Sequence, residues 1–339
     1  MNLSEFDFPF DASLIASEPI LPRHEARLLC LDSGSHRIAH RQVADLPALL
    51  EPGDLLVVND TRVMAARLSG RKQPTGTSVE VLFVRDLGAA VWEVMIKGHF
   101  RVGQRIEFGP DACATVVQRD AEGTRLKVES ALPVVELLRI HGRMPLPPYI
   151  KRSAKAEDHV WYQTCFADRE GAIAAPTAGL HFTPELIDRL RARGILTTAV
   201  TLHVGPGTFK PVVVGRIEDH RMGEEWFEVG APAVQAILET KRAGRRVVAV
   251  GTTVVRALES AALQTGILRP AAGDSRLFIA PGFQFKVVDA LMTNFHLPRT
   301  TLLMLVSALA GVEAVRAAYA EAVNERYRFY SYGDAMLIL

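Results

Sequence analysis

The sequence is poor in the features that mark a secreted, membrane-embedded or thiol-based protein. Its three cysteines, Cys30, Cys113 and Cys165, lie far apart and form no C-x-x-C pair, which argues against a disulfide framework or a thiolate zinc site. The longest apolar run, LLMLVSALAG from Leu302, is about half of the roughly 20 residues a membrane span requires. The N-terminus carries acids and lacks the apolar stretch of a secretion signal, so a cytoplasmic location is expected. A formal net charge of +1 gives no whole-molecule field for nucleic acid, so such a partner must be met by a local patch. Also missing are G-x-G-x-x-G, the P-loop, the G-x-S-x-G elbow and H-E-x-x-H, hence no standard phosphate cradle, serine nucleophile or zinc helix. No metal is expected.

What is present is a large core. With 339 residues and 48% hydrophobic content, the chain can build one large domain or two ordinary ones. Between Val79 and Glu129, the runs VEVLFV, AVWEVMI, QRIEF, ATVVQR and TRLKVE are short, partly alternating and separated by Gly, Asp and Pro. They read as a small antiparallel barrel or sandwich. RLSGRKQPTGTS (Arg67 to Ser78) before them reads as a basic linker, and RMPLPPYIKR (Arg143 to Arg152) after them is too rich in proline for a regular element.

Beyond Tyr149 strands alternate with helices. GAIAAP, ILTTAVTLHV, RRVVAVG and RLFIAP read as strands, and TPELIDRLRARG as a helix with Thr183 at its N-cap and Gly194 at its stop. APAVQAILETKRAG, VVRALESAAL and the segment after Pro298 read as further helices, and GDLLVVND near the N-terminus matches the α/β strands. The fold class expected is α/β: a mostly parallel sheet flanked by helices, with an inserted antiparallel β-barrel. The domains are then 1–66 with 150–339, forming a discontinuous α/β domain, and 67–149, forming the barrel.

Four polar stretches follow these strands: NDTR after LLVV, APTAGLHF after GAI, HVGPGTF after TAVTL, and GTTVVR after VVAV. Open parallel sheets bind ligands at the carboxyl edge, so the loops are expected to converge there. Glycines allow close backbone approach, and a helix start at Thr252–Thr253 offers donors to an anion. His181, His203 and His296 lack tight metal-ligand spacing, which leaves them structural or acid-base residues. Arg62, Arg67, Arg71, Lys72, Arg143, Lys151 and Arg152 flank the ends of the insert; they are either an ordinary solvated surface or a phosphate-binding rim. Tyr330 and Tyr332 either pack in the core or stack on a base.

The segments GDLLVVNDTRVMAARLSGRK, HGRMPLPPYI, YQTCFADREGAIAAPTAGLHFT, TLHVGPGTFKPV, IEDHRM, VVAVGTT, GDSRLFIAPGFQFKVVDALMTNFHLPRTTLLMLVSALAG and YRFYSYGDAMLI run in order over essentially the whole chain. Together they resemble the S-adenosylmethionine:tRNA ribosyltransferase-isomerase family of queuosine biosynthesis. The chain departs from the family's usual residues at His24, Lys210, Gly223 and Val254, Gly223 standing where a histidine is common. The resemblance implies an α/β domain with an inserted barrel and an enzyme that consumes S-adenosylmethionine as a co-substrate, with no bound cofactor. The ribosyl group is transferred and isomerised onto 7-aminomethyl-7-deazaguanine at the wobble position of a tRNA with a GUN anticodon, giving epoxyqueuosine, adenine and methionine.

On this reading His181 and His203 are the general base and acid in either order, with His296 the third candidate. Thr177, Thr252, Thr253 and Asn294 are expected to contact the donor, and Asn59, Asp60 and Arg62 to hold either substrate. Gly179, Gly205 and Gly207 are expected to let the backbone approach. Arg67, Arg71, Lys72, Arg143, Lys151 and Arg152 are expected to meet tRNA phosphates. A monomer is expected, since no heptad pattern stands out. The competing readings are a three-histidine metal hydrolase and a non-catalytic RNA-binding module.

Overall fold

The computed structural model describes residues 1–120, 123–205 and 212–339. The chain opens with β1 (Arg27–Leu31), β2 (Ile38–Gln42), the short helix α1 (Leu46–Leu49), β3 (Leu55–Asn59) and β4 (Thr61–Val63). Six strands then form a closed barrel: β5 (Arg67–Lys72), β6 (Thr77–Asp86), β7 (Val91–Ile96), β8 (Arg105–Gly109), β9 (Ala112–Arg119) and β10 (Thr124–Ser130). Helix α2 (Val134–His141) follows, with the two-residue strand β11 (Gly142–Arg143) pairing back onto β5.

The barrel closes because β5 pairs with both β6 and β8. Alternation explains its filling: Leu126 and Val128 of β10 point inward while Arg125 and Lys127 face out, and Val81, Phe83, Trp92, Val94 and Ile106 complete the interior. Arg67–Lys72 is thus a barrel strand and not a linker. Gly70 is the reason: a Cβ there would sit 2.8 Å from Ile106 Cγ2 and 2.9 Å from the Glu107 carbonyl oxygen. The residue that looked like a loop signal is what lets β5 approach β8.

The remaining elements are α3 (Asp158–Trp161), β12 (Arg169–Ala172), α4 (Pro184–Ala192), β13 (Leu196–Leu202), β14 (Glu225–Val229), α5 (Ala231–Arg242), β15 (Val247–Val250) and α6 (Thr252–Thr265). They are followed by β16 (Ala271–Ser275), β17 (Ala290–Asn294), α7 (Thr301–Ala310), α8 (Val312–Asn324) and β18 (Ala335–Ile338). The large sheet has the order β16-β14-β13-β3-β15-β17-β18-β1-β2. Its centre, β13-β3-β15-β17, is parallel. β14 and β16 flank one side antiparallel, and β18 runs antiparallel to β17.

Strand β3 shows why the centre is apolar throughout. Leu55 and Val57 belong to the core under α5, α6, α7 and α8, and Leu56 and Val58 to the core under α4. A strand covered on both faces reads as a continuous hydrophobic run. Thr183 caps α4 by accepting the Leu186 amide at 3.2 Å.

Two strand expectations need correction. GAIAAP is buried, but only Ala172 and the residues before it form a strand, and that strand pairs with β4 outside the large sheet. RLFIAP is irregular; the edge strand lies just before it, at Ala271–Ser275. Among the described residues no single helix is long and apolar enough to cross a membrane.

Candidate active site

The carboxyl ends of the parallel strands bring Asn59, Leu202, Gly251 and Asn294 to one edge. Asn59 ties three of these loops together. Its Oδ1 accepts the Thr61 and Leu202 amides, both at 3.1 Å, and its Nδ2 donates to the Leu202 carbonyl at 2.9 Å and to Thr253 Oγ1 at 3.3 Å. That is the full capacity of an amide side chain. Asn59 is therefore a clamp, with nothing left to offer a substrate.

A cavity opens beside this clamp. It is lined by Ala174–Ala178, by Gly251, Thr252 and Thr253 at the start of α6, by Thr293, Asn294 and His296, and by Tyr149, Tyr162, Tyr330 and Ser331. Gly251 has φ +99° in the turn from β15 into α6, a conformation that favours glycine. The first amides of α6 open at this turn, where an anion is favoured.

Asn294 organises the opposite wall. Its Oδ1 accepts the Thr177 hydroxyl at 2.8 Å, while its Nδ2 serves the Tyr330 carbonyl and His181 Nε2, each at 3.1 Å. Thr293 Oγ1 lies 2.9 Å from His296 Nε2. Burial drives His181 down to a pKa of about 3, helped by the charges of Arg23 and Arg328. Burial alone takes His296 to about 3. At neutral pH both rings are uncharged in this structure.

His203 is different. It is only half-buried, and its Nδ1 lies 2.8 Å from Thr61 Oγ1. Its ring stacks on Trp226 at 5.1 Å with an interplanar angle of 19°. Its pKa is lowered by burial first and then by Arg169. Gly171 backs this ring: a Cβ there would lie 2.6 Å from His203 Nε2 and Cε1. Sequence reasoning missed Gly171 and Trp226: Gly171 reads only as the start of a strand, and Trp226 lies outside every segment singled out.

His203 lines a second cavity, between the sheet edge and the barrel. Gly171, Gly205, Gly223 and Trp226 contribute from one side, Arg85 and Glu93 from β6 and β7, and Glu224, Glu225 and Asp274 complete it. Glu225 is buried in an ion pair with Arg256 and takes the Gly205 amide at 2.9 Å. Val204 lines both cavities, so the two share a wall. His296 lines the first cavity and His203 the second, while His181 lines neither and meets the first only through Asn294; no group of three metal-ligating side chains occurs among the described residues.

The other expected residues are placed as follows. Asp60 accepts the Thr201 hydroxyl at 2.7 Å, with burial raising its pKa. Arg62 is exposed and donates to the Ala167 carbonyl at 2.5 Å. Gly179 packs against Thr164, where a Cβ would meet Cγ2 at 3.0 Å. Gly207 and Lys210 lie outside the described residues. Of the basic set, Arg67 pairs with Glu80 at 2.5 Å, and Arg152 grips the buried Asp158 with two bonds of 2.7 and 2.8 Å. Arg71 and Lys72 sit at the far end of β5, opposite Glu107 and Ile106, where Lys72 donates to the His99 carbonyl at 2.8 Å. Arg143 and Lys151 are exposed. Tyr332 is core, whereas Tyr330 stacks on Tyr149 at 3.6 Å in the first cavity.

Comparison with known proteins accounts for the whole chain. A family model described as "Queuosine biosynthesis protein" matches residues 3–338. The S-adenosylmethionine:tRNA ribosyltransferase-isomerases of Pelobacter propionicus and Aquifex aeolicus are 51% and 49% identical, covering 100% of this chain and of each relative. The crystal structure of S-adenosylmethionine tRNA ribosyltransferase from Thermotoga maritima is 38% identical and covers 99% of this chain and 100% of that one, with a TM-score of 0.57. With a closed barrel set against an α/β sheet, and full-length identity of this order, the chain belongs to the queuosine biosynthesis protein family.

Proposed function

We infer that the chain is a tRNA-modifying enzyme of queuosine biosynthesis, an S-adenosylmethionine:tRNA ribosyltransferase-isomerase. It transfers and isomerises the ribosyl moiety of S-adenosylmethionine onto 7-aminomethyl-7-deazaguanine in tRNA, with epoxyqueuosine, adenine and methionine as products. The observation that carries the reading at the level of the site is the pair of cavities sharing Val204. A transfer between two large substrates needs two adjoining compartments.

The first cavity is assigned to S-adenosylmethionine, with the methionine carboxylate at the start of α6 by Thr252 and Thr253. The second is assigned to the modified base of a GUN anticodon, flipped from its loop. Its carboxylate-rich wall suits a primary ammonium.

The sulfonium acidifies the neighbouring 5′ C–H, so loss of that proton opens the ribose and expels adenine. The base's amine must lose a proton before it attacks the unsaturated sulfonium. Addition of the amine at C4′ leaves an electron pair on C5′, which attacks the C1′ aldehyde formed as adenine departs and closes the five-membered ring. The former ring oxygen, now an alkoxide on C1′, then displaces methionine from C5′ as a neutral thioether and closes the epoxide. His203, beside the shared wall and only half-buried, is assigned the proton transfers. His181 and His296 act as neutral rings that orient Asn294 and Thr293.

The test is one incubation of the protein with S-adenosylmethionine and tRNA carrying 7-aminomethyl-7-deazaguanine, read by mass spectrometry of small molecules and digested nucleosides. Adenine, methionine and epoxyqueuosine together are expected. S-adenosylhomocysteine with a methylated nucleoside, or no donor turnover by folded protein, would overturn the reading.

A further inference from the structure

The wall of the first cavity holds no Asp, Glu, Lys or Arg among the described residues. Most of its side-chain hydroxyls are engaged within the protein. Thr177 donates to Asn294, Thr253 meets Asn59, Thr293 meets His296, and Ser331 lies 2.5 Å from the Tyr149 hydroxyl.

Tyr162 is the one wall residue among the described residues whose hydroxyl is both fully buried and unpartnered. Its side chain is 0% exposed, and among the described residues its hydroxyl has no hydrogen-bond partner. Ser331 and the Ala175 backbone are the polar groups that bear on the phenol, but neither meets it at hydrogen-bond distance and angle. An unmade hydrogen bond on a buried hydroxyl destabilises the fold, and in a native protein it calls for a reason. Phenylalanine would fill the same space without that penalty. Burial also drives the phenol's pKa well above its ordinary value, so the group keeps its proton and serves as a donor, never as a base.

The reaction assigned to this cavity creates a need for such a donor. When a base removes the 5′ proton, the C–H electron pair becomes the C4′–C5′ double bond. The C4′–O4′ bond breaks, and its electron pair stays on O4′. The sulfonium keeps its positive charge, and a new negative charge appears on the former ring oxygen. No cation lines the cavity to meet that charge. In a wall of low polarity, a preorganised neutral donor is worth more than in water.

We propose that Tyr162 donates a hydrogen bond to the ribosyl ring oxygen of S-adenosylmethionine as that oxygen becomes an alkoxide. The proton is shared and not transferred, so the phenol is unchanged after turnover. The inference rests on the assignment of S-adenosylmethionine to this cavity.

Tyr162→Phe tests it, because the change removes one oxygen and leaves no protein group without a partner. The expected result is a fall in kcat for adenine release of roughly 10²-fold. KM for S-adenosylmethionine should stay within about threefold of wild type, and the thermal midpoint should be equal or higher. A kcat within about twofold of wild type overturns the proposal, as does a change confined to KM. A lowered thermal midpoint accompanying the lost activity would mark a structural role and overturns it too. The wild-type protein in the same assay separates the two claims. If it releases no adenine, the functional reading and this proposal fall together; if it is active and Tyr162→Phe matches it, only the role of Tyr162 falls.

Discussion

Asn294 Nδ2 and His181 Nε2 meet at 3.1 Å, and the direction of that hydrogen bond fixes the state of the ring. Asn294 Oδ1 is committed to the Thr177 hydroxyl at 2.8 Å, so the amide nitrogen faces the histidine and donates. The accepting ring nitrogen is therefore unprotonated. A neutral His181 agrees with its burial and with the two guanidinium charges that oppose a third positive charge nearby.

Asn294→Asp reverses that bond. The carboxylate still accepts from Thr177, but it cannot donate to Nε2, and its charge favours a protonated imidazole. His181 should then titrate well above its present value of about 3, and turnover should fall by roughly tenfold or more as the Thr177 wall shifts. An NMR titration of the His181 ring checks this. A ring that stays neutral to pH 4 in the variant contradicts the network.

Burying two neutral histidines makes stability depend on pH. An unfolded chain protonates each ring below about 6.5, whereas the folded protein resists until about 3. Across that window the unfolded state binds more protons, so stability rises with pH, is complete above 6.5 and is lost towards 3. At pH 5 each ring contributes a loss of about 2 kcal/mol relative to pH 7. Urea unfolding at both pH values should show it, and His296→Asn should remove one ring's share. Equal pH slopes in wild type and variant would mean that His296 is already charged.

The legible parts of this molecule are those where local pattern and tertiary role agree. Strand β3 announced itself because both its faces are covered, and α4 because Thr183, Pro184 and Gly194 mark its ends. Strand β5 did not, because Gly70 serves a contact with β8 that lies more than thirty residues away. The converging loops could be read, but their division of labour could not. Asn59 looks like a ligand residue until its four hydrogen bonds are traced. Tyr149 and Tyr162 belong to no periodic pattern, and only the assembled cavity gives them meaning. Histidine pKa values depend on burial, which no spacing reveals.

Gly171→Ala should disable the site without removing a polar group. The new methyl would lie 2.6 Å from the His203 ring, and the backbone there has φ +152°, so the ring must leave its place against Trp226. Turnover should fall by roughly 10²-fold, the scale of a misplaced proton-transfer group. Binding of S-adenosylmethionine alone, measured by calorimetry, should change little, since the first cavity does not include Gly171. Equal loss of donor binding would show that the two cavities are not separate compartments.

The basic residues at the insert junction should separate into two groups under mutation. Arg152 holds Asp158, whose side chain is 0% exposed, and the Tyr332 hydroxyl shares the same carboxylate at 2.9 Å. Removing the guanidinium leaves a buried charge short of its cation, so Arg152→Ala should destabilise the fold by roughly 3–5 kcal/mol. Arg143 and Lys151 are exposed, and their loss should leave stability nearly unchanged. If they meet the anticodon-arm backbone, Arg143→Ala and Lys151→Ala should each reduce the salt slope of tRNA binding by about 0.7. Filter binding across a salt series, with urea unfolding alongside, distinguishes the groups. A salt slope unchanged in both exposed variants would move the phosphate contacts elsewhere on the surface, and an Arg152→Ala protein of normal stability would mean that Asp158 finds enough support in the Lys155 amide and Tyr332 alone.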